Sequence, residues 1–225
     1  AGPPVPTVPA APPVSLPGDL VTADAMSRAD AEALIEYGRG LGADAAATGL
    51  IALGEIGVGN TTVASCLAVA LLDLGVADAV GLGAGADSAI LDRKRAVVSA
   101  ALQRCGRIGS ADPVGVMAAL GGPEFAVLTG VVLGAVSAGT AIVLDGLATG
   151  LAALVAVRME PAVAAHLVAG QRSRERAHAA VLTELGLEPL LDLRIRAGEG
   201  VGACLGAVLL RSALDIRRTT ARVTY

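Results

Sequence analysis

Aromatic side chains are almost absent from this 225-residue chain, which has one Phe, two Tyr and no Trp. Small aliphatic side chains must therefore form its core, because 54% of the residues are hydrophobic and only 17% are charged. Such a composition excludes a chain that is disordered throughout. The 29 glycines indicate close backbone approaches or sharp turns. The length suits one domain, or one large domain with a small appendage.

Cysteine, histidine and positive charge are also scarce. Cys66, Cys105 and Cys204 are widely spaced without a C-x-x-C pair, which predicts no disulfide framework and a cytoplasmic location. His166 and His178 have no cysteine nearby, which argues against a zinc site. The formal net charge of −4 gives no basic surface for nucleic acid. We therefore expect no metal, no cofactor and no nucleic-acid partner.

The beginning of the chain differs in composition from the rest. Residues 1–18 contain seven of the 11 prolines and no charged residue. We interpret 1–18 as a disordered or extended arm and 19–225 as the folded domain. The N-terminus has neither the basic nor the apolar region of a signal peptide.

One uncharged run, Phe125–Leu144, is 20 residues long, which is enough to span a bilayer. It also contains Gly130 and Gly134 in a G-x-x-x-G arrangement. However, Gly139-Thr140 indicates a turn inside the run, and Ala and Gly rather than Leu and Phe make it hydrophobic. We favour a helix followed by a strand, and expect no membrane partner.

Predicted strands and helices alternate along the domain. Ser27 is a good N-cap for a helix over 27–46, and Asp112 caps another that begins with Pro113. The predicted strands are 48–53, 76–82, 140–145 and 162–169, and the other helices are 61–74, 88–105, 123–138, 147–159, 173–185 and 200–217. This alternation predicts an α/β fold with a parallel sheet covered on both faces. Ligands bind at the carboxyl ends of the strands in such folds.

The first of three glycine-rich loops, residues 54–62 (Gly-Glu-Ile-Gly-Val-Gly-Asn-Thr-Thr), joins a predicted strand to a helix. Free N–H groups at the helix start and the hydroxyls of Thr61 and Thr62 suit a phosphate. The loop has neither Walker A nor Rossmann spacing. An ordinary strand–turn–helix connection, with Asn60 as N-cap, explains the spacing equally well.

The second loop, residues 81–87, precedes the predicted helix that carries Lys94. Two loops at the same end of a sheet would share one crevice, where Lys94 could reach a phosphate as a point charge. A solvated cation on a helix face is the simpler interpretation of Lys94.

The third loop, residues 198–203, places Glu199 between Gly198 and Gly200 before the last helix. Glycine on both sides lets the carboxylate point toward a substrate, where it can act as a general base. The alternative is a solvent-exposed Glu that stabilises the helix N-terminus.

Together these motifs resemble those of nicotinate-nucleotide–dimethylbenzimidazole phosphoribosyltransferases. The first loop is similar to that family's G-E-M-G-I-G-N-T-T signature. Other similar motifs follow in the family's order, at Asp92–Val98, Gly121–Glu124, Leu144–Gly146, Ala169–Ser173, Leu185–Leu193 and Gly198–Gly200. The resemblance covers roughly residues 20–215.

The resemblance implies a Rossmann-like parallel sheet with a small helical portion, in a homodimer. The implied reaction exchanges the nicotinate of nicotinate mononucleotide for 5,6-dimethylbenzimidazole, giving α-ribazole 5′-phosphate for the lower ligand of cobalamin. Glu199 matches the family's general base, and Glu55 matches another active-site carboxylate. The implied phosphate-binding residues are Gly57, Gly59, Asn60, Thr61, Thr62, Gly83, Gly85 and Lys94, and those of the base pocket are Ala197, Gly198 and Val201.

The chain departs from the family's pattern at several positions. Ala197 replaces a Leu, which predicts a wider base pocket, and Val201 replaces the Ser or Thr next to the Gly-Glu-Gly motif. Gln171 replaces a His. A family region that precedes these motifs and helps to hold the base has no counterpart here, so we expect a domain shortened at its N-terminus. The alternative function is an inactive nucleotide-binding relative or partner subunit.

Overall fold

The computed structural model describes residues 11–12, 17–81, 88–106, 108 and 111–220. Most of the arm at 1–18, and Gly83 and Gly85 of the second loop, lie outside the described residues. Within them, three strands form a parallel sheet in the order β1-β2-β3. The strands are β1 (Leu50–Ala52), β2 (Ala141–Leu144) and β3 (Leu167–Ala169). The helices are α1 (Arg28–Ala45), α2 (Asn60–Leu72), α3 (Val76–Ala79), α4 (Ser88–Cys105), α5 (Pro113–Leu120), α6 (Pro123–Ser137), α7 (Leu147–Met159), α8 (His178–Leu185) and α9 (Val201–Thr219).

The central strand β2 is covered on both faces. Ile142, Val143 and Leu144 point alternately to opposite faces of the sheet, yet all three are buried. Ile142 and Leu144 belong to the main apolar core. Val143 lies against α9 on the other face, since a Cβ added to Gly206 of α9 would be 3.2 Å from Val143 Cγ1. The predicted α/β class, with a parallel sheet between helices, is confirmed.

The long uncharged run is a buried helix that ends in a turn. Gly130 and Gly134 of α6 lie against α1, where an added Cβ would come within 1.9 Å of the carbonyl oxygens of Ile35 and Arg39. The G-x-x-x-G pair therefore lets two helices of one domain approach closely. Gly139, with φ of +82°, makes the predicted turn before β2. In the described part of the chain, every helix is too short or too polar to cross a membrane.

Two predicted helix starts are confirmed by their caps. Ser27 Oγ accepts the N–H of Asp30 at 3.0 Å, and Asp112 Oδ1 accepts the N–H of Gly115 at 3.0 Å. Each bond satisfies an N–H group that has no partner within its own helix. These caps set the boundaries of α1 and α5, which contact each other.

The predicted strand at 76–82 is wrong. Val76–Ala79 forms the single-turn helix α3, and Val80 N–H donates to Val76 O at 3.0 Å. Ala79 and Val80 are fully buried. One helical turn buries the same side chains without a partner strand, and a run this short does not distinguish the two by periodicity. The second loop therefore follows a helix rather than a strand.

Two other predicted elements are shorter than expected. Within 162–169 only β3 is extended, because Pro161–His166 forms a 3₁₀ helix. The helix predicted at 173–185 begins at His178 instead. Before it, Ser173 Oγ accepts the N–H of Glu175 at 3.2 Å, and Ser173 N–H donates to His178 Nδ1 at 2.9 Å. These bonds hold 173–177 as a turn, because local side-chain hydrogen bonds compete with helix formation.

Candidate active site at the carboxyl ends of the strands

A cavity of about 290 Å³ opens where the three strands end. Its wall contains Glu55 after β1, Asp145 after β2 and Gln171 after β3. Parallel α/β sheets bind ligands at this edge. The volume is close to the lower limit for small-molecule sites.

The first loop holds its own carboxylate. Glu55 Oε2 accepts the N–H of Gly57 at 2.8 Å and a hydrogen bond from the side-chain amide of Asn60. Asn60 is buried, so its amide fixes Glu55. The interpretation of Asn60 as the N-cap is wrong, because Gly59 occupies that position and α2 begins at Asn60.

Lys94 meets the first loop where α4 packs against α2. Its Nζ donates to Thr61 Oγ1 at 2.8 Å. The backbone N–H groups of Asn60 and Thr61 donate to no residue that the structure describes, whereas the N–H of Thr62 donates to Gly59 O at 2.9 Å. An ammonium, a hydroxyl and free N–H groups at a helix start are suited to a phosphate. The predicted neighbourhood of Lys94 and this loop is therefore present.

The third loop adopts an unusual backbone conformation. Gly198, Glu199 and Gly200 have φ angles of +65°, +56° and +82°. A left-handed conformation costs a residue with a side chain such as Glu199 on the order of 1 kcal/mol. Asp145 stabilises the loop, since its Oδ1 accepts the N–H of Gly202 at 2.8 Å and its Oδ2 accepts that of Gly200 at 3.2 Å.

The first and third loops touch through their backbones. A Cβ added to Gly54 would lie 2.5 Å from Gly200 Cα, so neither loop leaves room for a side chain there. This contact brings Glu55 and Glu199 to the wall of one cavity. Glu199 itself is exposed, and its carboxylate accepts no hydrogen bond from the described residues. It is available to an incoming molecule.

Asp145 and Gln171 are site residues that sequence reasoning missed. Gln171 Nε2 donates to Asp145 Oδ1 at 3.0 Å, and both side chains are buried. Gln171 Oε1 has no hydrogen-bond partner among the described residues. Both residues lie in motifs that the sequence displays, and Asp145 comes directly after a predicted strand. Their place at the strand ends was the signal that could have identified them.

The predicted base pocket is placed only in part on the cavity. Ala197 and Gly198 line it, whereas Val201 begins α9 outside its wall and is 39% exposed.

A second cavity of about 350 Å³ shares Gly57 and Val58 with the first and contains Glu124. Burial, followed by the charge of Glu55, raises the pKa of Glu124.

His178 supports the cavity wall from the core. It is 1% exposed, and it accepts the N–H of the wall residue Ser173. Burial, followed by the charge of Arg172, lowers the pKa of His178 from 6.5 to about 4. The imidazole is therefore neutral at neutral pH and can accept this hydrogen bond.

Among the described residues, no three His, Cys, Asp or Glu side chains gather to hold a metal ion.

Comparisons with known proteins agree on one family. A family model described as phosphoribosyltransferase matches residues 17–224. A curated relative from Roseiflexus sp. (strain RS-1) is 44% identical over 200 residues, which are 88% of this chain and 56% of the relative. Another from Desulforudis audaxviator (strain MP104C) is 41% identical over 206 residues, 88% of this chain and 57% of the relative. Both are named nicotinate-nucleotide–dimethylbenzimidazole phosphoribosyltransferase.

Solved structures give the same result. A crystal structure of the enzyme of that name from Thermus thermophilus has a TM-score of 0.83 and 39% identity, covering 91% of this chain and 61% of that chain. The present chain thus spans somewhat more than half the length of these relatives. The matched residues, the parallel sheet and the glycine-rich loops show that the chain belongs to the family of nicotinate-nucleotide–dimethylbenzimidazole phosphoribosyltransferases.

Proposed function

We propose that this chain transfers the phosphoribosyl group of nicotinate mononucleotide to 5,6-dimethylbenzimidazole or a similar base. The products are α-ribazole 5′-phosphate and nicotinate, for the assembly of the lower ligand of cobalamin. The observation that carries the proposal is the packing of the first loop on the third, which brings Thr61 at the start of α2 and Glu199 to one cavity wall.

The 5′-phosphate binds at the start of α2. Lys94 and Thr61 supply a cation and a hydroxyl that already touch each other at 2.8 Å. The N–H groups of Asn60 and Thr61, which donate to no described residue, supply further donors. Fixing the phosphate positions the anomeric carbon in the cavity, which lowers the entropic part of the barrier.

The base attacks the anomeric carbon through one ring nitrogen while its other nitrogen loses a proton to Glu199. The new nitrogen–carbon bond forms as the bond between the anomeric carbon and the nicotinate nitrogen breaks. The electron pair of the broken bond leaves with nicotinate. The ribosyl centre carries positive charge in the transition state, and Glu55, held by Gly57 and Asn60, is a fixed negative charge on the same cavity.

A turnover assay tests the proposal directly. Nicotinate mononucleotide and 5,6-dimethylbenzimidazole are incubated with the chain, and α-ribazole 5′-phosphate and nicotinate are separated by chromatography. Equal amounts of both products support the transfer. Absence of both, from protein that binds neither substrate in calorimetry, would contradict it.

The alternative is a relative that binds the nucleotide without transferring it. Ala197 and Val201, which depart from the family's pattern beside Glu199, favour this candidate. Calorimetric binding of nicotinate mononucleotide without turnover would support it over the transferase.

The base, the assembly and the location are finer parts of the proposal. The small side chain of Ala197 on the cavity wall supports a base pocket that accepts more than one base, which competition among benzimidazole, 5,6-dimethylbenzimidazole, adenine and a phenol would test. The homodimer that the family resemblance implies is tested by light scattering after size-exclusion chromatography. Cell fractionation tests the cytoplasmic location.

A further inference from the structure

Two arginines reach the cavity from different segments. Arg174 follows β3, and Arg196 precedes the third loop, yet both belong to the cavity wall. Both residues are exposed, so their guanidinium groups are in contact with solvent at the cavity rim.

The two segments are bonded to each other. Leu190 N–H donates to Ala169 O at 2.9 Å, and Arg172 N–H donates to Leu191 O at 2.8 Å. The turn that carries Arg174 is also held by the hydrogen bond from Ser173 N–H to His178. The turn at Arg174 is therefore held by hydrogen bonds, and the segment that leads to Arg196 is attached beside it at Leu190 and Leu191.

Neither arginine has a carboxylate within 4.0 Å in the part of the chain that the structure describes. Two other arginines of the same segments do have partners. Arg172 pairs with Asp192 at 3.8 Å, and Arg176 donates to Ala77 O at 3.4 Å. Arg174 and Arg196 are thus the guanidinium groups of this wall that remain available to an anion.

The acidic residues of the cavity do not neutralise them. Glu55 accepts N–H and amide groups of its own loop, and Asp145 accepts N–H groups of the third loop. Glu175 is turned toward Gly81, where an added Cβ would be 2.4 Å from its Oε2. Glu199 lies on the same wall without a salt bridge to either arginine among the described residues.

We propose that Arg174 and Arg196 form a second anion site, which binds the carboxylate of the nicotinate ring and selects nicotinate mononucleotide over its amide counterpart. This inference rests on the proposed function. The substrate carries two anionic groups, and the phosphate matches the ammonium, hydroxyl and helix start at Lys94 and Thr61. A planar carboxylate matches the planar fork of a guanidinium.

Calorimetry of the full chain with four ligands tests this assignment. The ligands are nicotinate mononucleotide, nicotinamide mononucleotide, nicotinic acid riboside and ribose 5-phosphate. The wild-type chain is expected to bind the nicotinate nucleotide roughly 10-fold or more tightly than the nicotinamide nucleotide. In the double variant Arg174→Gln/Arg196→Gln, this ratio is expected to fall to about two or less, with ribose 5-phosphate binding unchanged.

Arg176→Gln and Arg194→Gln are matched controls, because these arginines lie in the same two segments but outside the cavity wall. Both should keep the wild-type ratio, and unchanged urea midpoints would show that all variants fold. Equal wild-type affinity for the two nucleotides would overturn the inference while leaving the proposed function intact. Equal weakening of both nucleotides and of ribose 5-phosphate in the double variant would also overturn it, because the arginines would then hold the phosphate. Failure of the wild-type chain to bind any nucleotide would overturn both proposals.

Discussion

The first and third loops meet at one contact, yet they treat their carboxylates differently. In the first loop, Glu55 accepts hydrogen bonds from Gly57 N–H and from the Asn60 amide. In the third, Glu199 accepts none from the described residues, and Asp145 holds the backbone around it instead. A carboxylate that is already bonded serves best as a fixed charge. One without partners can exchange a proton with a ligand.

Replacing each glutamate by glutamine should separate these roles most clearly. Glu199→Gln removes the proton acceptor but keeps the size, so turnover should fall roughly 10²–10⁴-fold with nicotinate mononucleotide binding retained. Glu55→Gln should weaken nucleotide binding as well, because a neutral amide oxygen accepts the bonds from Gly57 and Asn60 more weakly than the carboxylate and so holds the first loop less firmly. Steady-state rates combined with calorimetry measure both effects. Similar losses of binding in the two variants would contradict the comparison.

Asp145→Asn should lower the free energy of unfolding by weakening the bonds that hold the third loop, rather than those of the first. The carboxylate accepts the N–H groups of Gly200 and Gly202 and the amide of Gln171, and it is 5% exposed. Hydrogen bonds to a charged acceptor contribute about 1.5–3 kcal/mol each, and asparagine retains part of them, so we expect a loss of roughly 3–4 kcal/mol. Urea unfolding measures the loss. A change below about 1 kcal/mol would show that the loop does not depend on this carboxylate.

The pH dependence of the cavity wall must be separated from that of the two loops. The folded-state pKa of His178 is lowered to about 4 from 6.5, so the unfolded chain binds this proton more readily. Neutral His178 therefore contributes fully to the free energy of unfolding above pH 6.5. This contribution, at most about 3 kcal/mol, is lost as the pH falls toward 4. Urea unfolding between pH 7.5 and 4.5 measures the decline. His178→Gln, which can still accept the N–H of Ser173, should have a shallower decline over this range, and an identical decline would contradict the assignment.

The contact between the loops can be disrupted by a single methyl group. Gly54→Ala would place a Cβ 2.5 Å from Gly200 Cα, and separating the backbones should cost about 1–3 kcal/mol and lower turnover. Gly40→Ala is the matched control, because a Cβ added there would meet no described atom within 4 Å outside its own turn of α1. The control should be neutral or up to about 1 kcal/mol more stable. Equal effects of the two substitutions would contradict the proposed packing.

The fold could be predicted where local signals agree. Ser27 and Asp112 combine a cap with an apolar periodic pattern, so the starts of α1 and α5 were predicted correctly. The prediction of a strand at 76–82 failed because a short, mainly apolar run buries its side chains equally well as one helical turn or as a strand. The choice depends on a partner strand, which is a tertiary property that no local pattern contains.

The site could be predicted only as separate loops. The sequence shows that Glu199 lies between glycines, but not that Asp145, more than 50 residues earlier, holds the neighbouring N–H groups. Similarly, Lys94 was a candidate cation, and its bond to Thr61 depends on how α4 packs against α2. Such contacts arise from the arrangement of elements around the sheet. The roles assigned to these residues remain predictions.

A crystal structure of the chain with nicotinate mononucleotide bound would test the central claim most directly. We predict that the phosphate contacts Lys94 Nζ and the N–H groups at the start of α2, with the anomeric carbon facing the Glu199 carboxylate. A nucleotide bound away from this cavity, or with its phosphate remote from Lys94, would contradict the account.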